Sequence, residues 1–500
     1  MIAKVLLVIA FVAVAVAVGI YCRRHTGTVD GFILGGRNVG PWMSAFAYGT
    51  SYFSAVVFVG YAGQFGFKYG ISATWAGIGN AIIGSLLAWW VLGPRTREMT
   101  HRLQASTMPE FFGKRYDSRA LRIAAAAIIF VFLIPYTASV YNGLSRLFGM
   151  AFALPYDVCV IGMAVVTCIY VVLGGYMATV MNDFIQGIVM LLGIIAVIVA
   201  VILNNGGFSE AIISLSQIPA EGSAMQGPFV SFFGPDLFNL LGVVILTSLG
   251  TWGLPQMVQK FYAIKTGPAI KQGAIISTIF AFVVAGGSYF LGGFGRLYEG
   301  QIEYAANGTP IYDSIIPTML STLPDVLIGL VIVLVLSASM STLSSLVLTS
   351  SSTLTIDFIN GNIIKNMSEK KQLVWMRGLL VVFIAISALI ALFPEQIMHF
   401  FRDDAEVTRI GRQALLYACA VMPLMGYSTY VNQLYQCLGF HQAATLLASC
   451  RNGLLYVPLI LLLPRMLGLP GVEMSQPGAD LLTFVVSLPF QIWFFRHKLR

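Results

Sequence analysis

Charge is scarce in this chain. Only 10% of its 500 residues are Asp, Glu, Lys or Arg, against roughly a quarter in soluble domains. Such a chain cannot clothe a water-exposed globule. Metal-binding patterns are missing too. The six cysteines (Cys22, Cys159, Cys168, Cys419, Cys437 and Cys450) are scattered through apolar runs, with no CxxC or Cys/His spacing, and read as small packing residues. The five histidines (His25, His101, His399, His441 and His497) fall in or near loops or span ends. No span carries paired carboxylates, and no phosphate loop, coiled coil or low-complexity tail occurs. These absences leave no constellation for metal-dependent or acid–base catalysis, so enzyme activity is not expected.

What is abundant is hydrophobic sequence, 57% of all residues. A bilayer core of about 30 Å takes about 20 apolar residues per helix, and such runs recur along the whole chain. They predict an all-α polytopic membrane protein with about thirteen spans. These lie near 2–21, 42–65, 72–94, 120–150, 155–175, 183–204, 236–261, 272–295, 314–356, 376–393, 412–437, 441–464 and 476–495. The first run ends in Arg23-Arg24 and lacks the charge-first layout of a signal peptide, so it reads as an uncleaved helix. The net charge of +8 is then loop charge, not a nucleic-acid footprint. Basic clusters at Arg23-Arg24, 95–122, Lys260/Lys265/Lys271, 365–377 and 496–498 fall on one side of the span count, the cytoplasmic side. That orientation places the N-terminus outside and the C-terminus inside a plasma (inner) membrane.

Two spans carry helix breakers. Ala45–Gly66 holds Gly49-Thr50-Ser51, and Leu246–Phe261 holds Gly250, Gly253 and Pro255. A break releases backbone carbonyls that lipid cannot satisfy, and paired broken helices point to a midplane binding site. The bland alternative is kinks with small-residue packing. A third span reads SASMSTLSS over Ser337–Ser345, with hydroxyls on six of nine residues. On a helix Ala338, Ser341, Thr342 and Ser345 share one face. Adjacent hydroxyls beside freed carbonyls suit a sodium ion; alone, they would bond back to their own helix. Asp183 is either an intramembrane functional acid or a helix cap. Arg37 is either a gate charge or a positive-inside anchor.

These stretches resemble the sodium:solute symporter family. The resemblance runs from about residue 25 to 380 and rests on FILGGRNVGPW (Phe32–Trp42), TMPEFFGKRYDS (Thr107–Ser118), LGGYMATVMNDFIQG (Leu173–Gly187), GLPQ (Gly253–Gln256) and SASMSTLSS. It implies a leucine-transporter-type core of two inverted repeats preceded by one extra helix. It implies a sodium site at the carbonyls of Thr50 and Phe53 with Ala338, Ser341 and Thr342, and an ion-exit acid at Asp183. Solute contacts are implied at Ser51, Tyr52, Ser54, Tyr136, Ser139, Thr247, Thr251, Trp252 and Pro255. One departure stands out: the proline-type branch carries an aspartate where this chain has Tyr52.

From about residue 385 the chain resembles a different family, the multidrug and toxic compound extrusion (MATE) exporters. That resemblance rests on FFRDDAEVTRIGRQALLY (Phe400–Tyr417), PLMGYSTYVNQLYQCLGF (Pro423–Phe440), CRNGLLYVPLILLLP (Cys450–Pro464) and GLPGVEMSQPGADLLTF (Gly468–Phe484). The expected organisation is a symporter-like region over 1–384 and three exporter-like helices over 385–500. The expected activity is sodium-coupled uptake of a small organic solute. MATE-type cation or drug efflux, or a fusion with a broken ion site that does not transport, are the alternatives.

Overall fold

The computed structural model describes residues 2–152, 155–220, 225–304, 310–360, 362–364, 367–392 and 441–497, with eight positions between 421 and 435. Among the described residues it is all helical, with isolated β-bridges and no strand. Seven helical stretches are long and apolar enough to cross a membrane: Val5–Cys22, Val56–Arg102, Arg119–Tyr141, Asp157–Asn204, Gly267–Gly292, Asp325–Ile359 and Glu369–Ile390. Two of these, of 47 and 48 residues, exceed a single crossing, because a helix rises about 1.5 Å per residue across a core of about 30 Å. Each contains a glycine outside helical geometry, Gly70 at φ 66° and Gly175 at φ 52°. The sequence reading separated the spans at both places. The helices broken by design fall short of the length criterion in pieces, which accounts for part of the difference from thirteen. The span expected over 412–437 and the loop before it lie largely outside the described residues.

Helix starts follow local chemistry. Thr28, Thr107, Asp236 and Thr266 each accept a hydrogen bond from a backbone amide three residues on, the usual N-cap arrangement. Pro41 and Pro255 occupy the first helical turn, where a missing N–H costs nothing.

The chain forms two compact units, Met1–Pro394 and Glu395–Arg500. In the first, the hydroxyl-rich helix Asp325–Thr353 is the axis. Nearly every residue from Ile328 to Thr353 is buried. It packs against helices 156–204, 119–152, 2–22, 369–392 and 41–52. Outer helices instead show a lipid-facing side, as at Leu6, Ile9, Phe132 and Leu192. In the second unit, helix 469–497 packs against helices 441–449 and 456–467, and the Tyr435 hydroxyl donates to its Phe490 O at 2.7 Å. An Arg451–Asp480 ion pair at 2.7 Å also lies within this unit.

Helices 62–69 and 287–292 touch backbone to backbone. A Cβ on Gly66 would lie 2.0 Å from the Gly292 carbonyl carbon, and one on Gly292 would lie 1.9 Å from Ala62 O. Backbone cannot retreat as a side-chain tip can. Gly66→Ala or Gly292→Ala should therefore lower the melting temperature of the detergent-purified chain, by an overpacking cost of about 1–3 kcal/mol or more. Gly242→Ala, on an open helical face with nothing within 4 Å, should leave it unchanged or slightly raised. Equal melting of all three variants would refute the close-approach account.

Candidate functional site

The site begins with a helix that stops early. Helix 41–52 ends at Tyr52, Phe53 takes extended geometry (φ −83°, ψ 105°), and helix resumes after Ser54. The break lies four to five residues beyond Gly49, the loosening point that the sequence suggests. Gly49 stays helical, and its missing Cβ makes room for Phe280, whose ring would be 2.4 Å away. The last carbonyls of a helix lack intrahelical partners. Here Gly49 O accepts from the Phe53 amide, and Thr50 O is taken by another helix.

That partner is Ser341. Its Oγ lies 3.0 Å from Thr50 O and 3.1 Å from Ala338 O. Thr342 Oγ1 donates to the same Ala338 O at 3.0 Å. Two hydroxyls and two carbonyls thus converge, all on fully buried residues. Thr50 Oγ1 and Ser54 Oγ are buried nearby in sequence without a hydrogen-bond partner. Hard cations favour such clusters of neutral oxygens, so the donor set fits sodium as cargo. Phe53 is buried at the break itself.

One turn further along the hydroxyl helix, Ser345 shares a 2.9 Å hydrogen bond with Ser51. Ser345 also accepts from Lys260 Nζ at 3.1 Å. Lys260 stands 3.7 Å from Asp183 Oδ2, with both side chains essentially inaccessible to solvent. It also lies 5.2 Å from the centre of the Tyr176 ring. This corrects two readings of the sequence. Asp183 is no helix cap, because it sits within helix 156–204, eight residues past the Gly175 break. Lys260 is no loop charge, because it lies in helix 255–263 with its side chain in the core. The signal missed was Asp183 itself: a buried acid needs a cation, since an unpaired buried charge costs about 3–5 kcal/mol.

The expected solute contacts divide. Tyr52 and Thr251 line one small cavity with Asn80, Ser85 and Ser277, leaving about 10 Å³ free, room for about one water. Asn80, Ser85 and Ser277 were not singled out from sequence. Asn80 Oδ1 accepts from Ser248 at 3.1 Å, and Ser85 and Ser277 share a hydrogen bond at 2.8 Å. Trp252 is held by its indole N–H on Ile83 O at 2.9 Å, at the second break, which spans 250–254 before Pro255. Ser51 turns toward Ser345 instead. Ser139 and Thr247 spend their hydroxyls on their own helices, at Tyr136 O and Val243 O, and Tyr136 is half-buried.

Arg37 follows Gly35 and Gly36 in a run of three left-handed residues, at φ 55°. Such geometry is uncommon for a side-chain-bearing residue. Its guanidinium fixes the turn, donating to Ala105 O at 2.8 Å and pairing with Asp30 at 3.3 Å. Two residues on, Val39 exchanges backbone hydrogen bonds with Ala263 and Lys265, tying this turn to the end of the second broken helix.

Comparison with known proteins identifies the family. Residues 32–409 match the family described as the sodium:solute symporter family. The chain is 29% identical over 387 residues to the sodium/proline symporter of Salmonella typhimurium, covering 75% of this chain and 74% of that one. It is 27% identical over 436 residues to that of Staphylococcus aureus, covering 85% and 80%. Among solved structures, a substrate-bound, outward-open Na+-coupled sialic acid symporter aligns over 97% of each chain, with a TM-score of 0.69 at 16% identity; this likeness speaks to fold. The family match runs past residue 384, where the sequence reading had ended the symporter-like region. The chain belongs to the sodium:solute symporter family, membrane carriers that use Na+ as coupling ion.

Proposed function

We propose that this protein couples inward sodium flow to the uptake of a small organic solute by alternating access. The carrying observation is the Ser341 hydroxyl 3.0 Å from the Thr50 carbonyl across the first helix break. Sodium would bind there, to the carbonyls of Thr50 and Phe53 with Ala338 O, Ser341 and Thr342. It would hold the broken helix against the hydroxyl helix, which favours the form that assembles the solute pocket. The membrane potential adds about 2.3 kcal/mol per charge per 100 mV to inward movement.

The remaining architecture is read in the same frame. Breaks at 53–54 and 250–254 open the two inverted repeats of a leucine-transporter-type core. The apolar runs would give about thirteen spans, and the basic loops an external N-terminus and a cytoplasmic C-terminus. Residues 385–500, whose exporter-like motifs overlap the family match up to residue 409, would supply the last helices. Solute would lie between the two breaks, against Tyr52, Thr251, Trp252 and Pro255. Ser54, Tyr136, Ser139 and Thr247 would come into contact only when the pocket opens. The polar side chains lining the cavity at Tyr52 are hydroxyls and the Asn80 amide, without a charge, which suits a small polar solute. Tyr52 in place of an acid argues that the solute need not be the proline carried by the relatives. Arg37 would act as a gate charge by locking its turn to the second broken helix.

Two outcomes test this reading. Sodium that binds only the folded chain raises stability by about 2.7 kcal/mol at a hundredfold excess over Kd. The detergent-purified chain should therefore melt higher in sodium chloride than in potassium chloride, and Ser341→Ala/Thr342→Ala should erase the difference. Equal melting of the wild type in both salts would remove the ion site. Separately, Arg37→Ala should speed hydrogen–deuterium exchange over residues 30–39 and 263–265 while the sodium-specific shift persists. Unchanged exchange would leave Arg37 without a gating role.

A further inference from the structure

Lys260 is an amine in the protein core, next to the proposed path of a cation. The hydroxyl helix lays out a sequence of stations. Ser341 and Thr342 hold the ion-site oxygens, and Ser345, about one turn (roughly 5.4 Å) along the same face, accepts from Lys260 Nζ at 3.1 Å. Beyond it Asp183 Oδ2 stands 3.7 Å from the same nitrogen. Neither oxygen of Asp183 has a closer hydrogen-bond donor, although the residue is fully buried. Polar groups around the pair are also unsatisfied. Both ends of the Gln186 amide, one turn from Asp183, lack partners, as do both ends of the Gln256 amide, one turn from Lys260. Buried groups of this kind normally find protein or water. Unsatisfied polar groups thus lie on both the Asp183–Gln186 and the Gln256–Lys260 faces.

We propose that Lys260 is a tethered cation that stands in for sodium at Asp183. Its ammonium neutralises the carboxylate while sodium occupies the Ser341/Thr342 site. A sodium ion leaving that site takes the carboxylate over as Lys260 withdraws along Ser345 and Ser51. The geometry favours exchange over a locked pair. At 3.7 Å the contact with Asp183 is loose, and the ammonium already shares a hydroxyl with the ion-site helix. Lys260 acts through Asp183 and the ion site and is thus a positioning residue. The inference rests on the sodium-site reading above and adds a group that reading does not contain.

The test is sodium binding itself, measured with 22Na+ on the purified full-length chain. Lys260→Met leaves Asp183 without its resident cation, so sodium should bind about tenfold more tightly or better and dissociate more slowly. Asp183→Asn leaves the ammonium uncompensated beside the ion site, so sodium should bind about tenfold more weakly. Lys260→Arg, which keeps the charge, should stay within about twofold of wild type. Lys260→Met/Asp183→Asn restores local neutrality and should return affinity toward wild type, yet with slower dissociation because the carboxylate station is gone. The double variant keeps the test decisive if the single variants do not fold, since neutral pairs of similar volume are often tolerated where half-pairs are not. Lys260→Met that binds sodium no more tightly than wild type would overturn the proposal, as would a folded double variant with unchanged dissociation. Absence of sodium-specific binding to the wild type would instead strike the ion-site reading, which separates the two failures.

Discussion

A carbonyl set free from a helix inside a bilayer has to find its partner within the protein, and the Thr50 carbonyl is the case on which this molecule turns. Its helix ends at Tyr52, so no amide of its own helix serves it, and it is met by Ser341 at 3.0 Å. That pairing constrains everything nearby. A hydroxyl donor has to stand at the depth of the break, so the helix carrying it cannot face lipid and is buried nearly all round. Burial on every side needs neighbours on every side, and helices 2–22, 119–152, 156–204 and 369–392 provide them. The same oxygens that satisfy one another here could satisfy a cation, so structural necessity and ion binding draw on one set of atoms.

The Lys260–Asp183 pair extends that logic. Two opposite charges in the core are poor value as a stabilising device, since apolar replacements of similar size often serve as well. The pair sits beside Ser345, the residue that links the ion-site helix to Ser51. A charge pair kept beside the proposed ion site is better understood through coupling to that site than through the stability it adds. The aromatic face of Tyr176 supports the ammonium from a third side without competing as an anion.

What was legible from the sequence followed from how strongly each feature is forced. That the chain is helical with several apolar spans was plain because lipid admits so few solutions. Gly250, Gly253 and Pro255 marked the second break correctly, because proline and glycine together cannot continue a helix. The first break was located less well. Gly49 looked like the loosening point, yet its lack of a Cβ serves Phe280, and the break falls at Phe53 and Ser54, which carry no breaker signature. Ala338, Ser341 and Thr342 were legible as a face, because helical spacing fixes which residues point together. Asn80, Ser85 and Ser277 were not, because their meeting with Tyr52 and Thr251 depends on tertiary packing alone.

Lys260 shows the limit most clearly. Counted with Lys265 and Lys271 it is a basic loop residue, and charge bias treats all three alike. Helix 255–263 buries the first and leaves Lys265 exposed beyond its end. Composition cannot separate them, but electrostatics can. Asp183 is fully buried in a helix that carries no basic residue of its own, so one basic residue had to come inward to meet it. The candidates are those within reach of a broken helix, because a break lets a short helical segment such as 255–263 carry a polar face of Gln256, Gln259 and Lys260 through the core. An acid in a span therefore points to its counter-charge in the helix that follows a break, and the number of basic residues assigned to the cytoplasmic side should be reduced accordingly before topology is inferred from them.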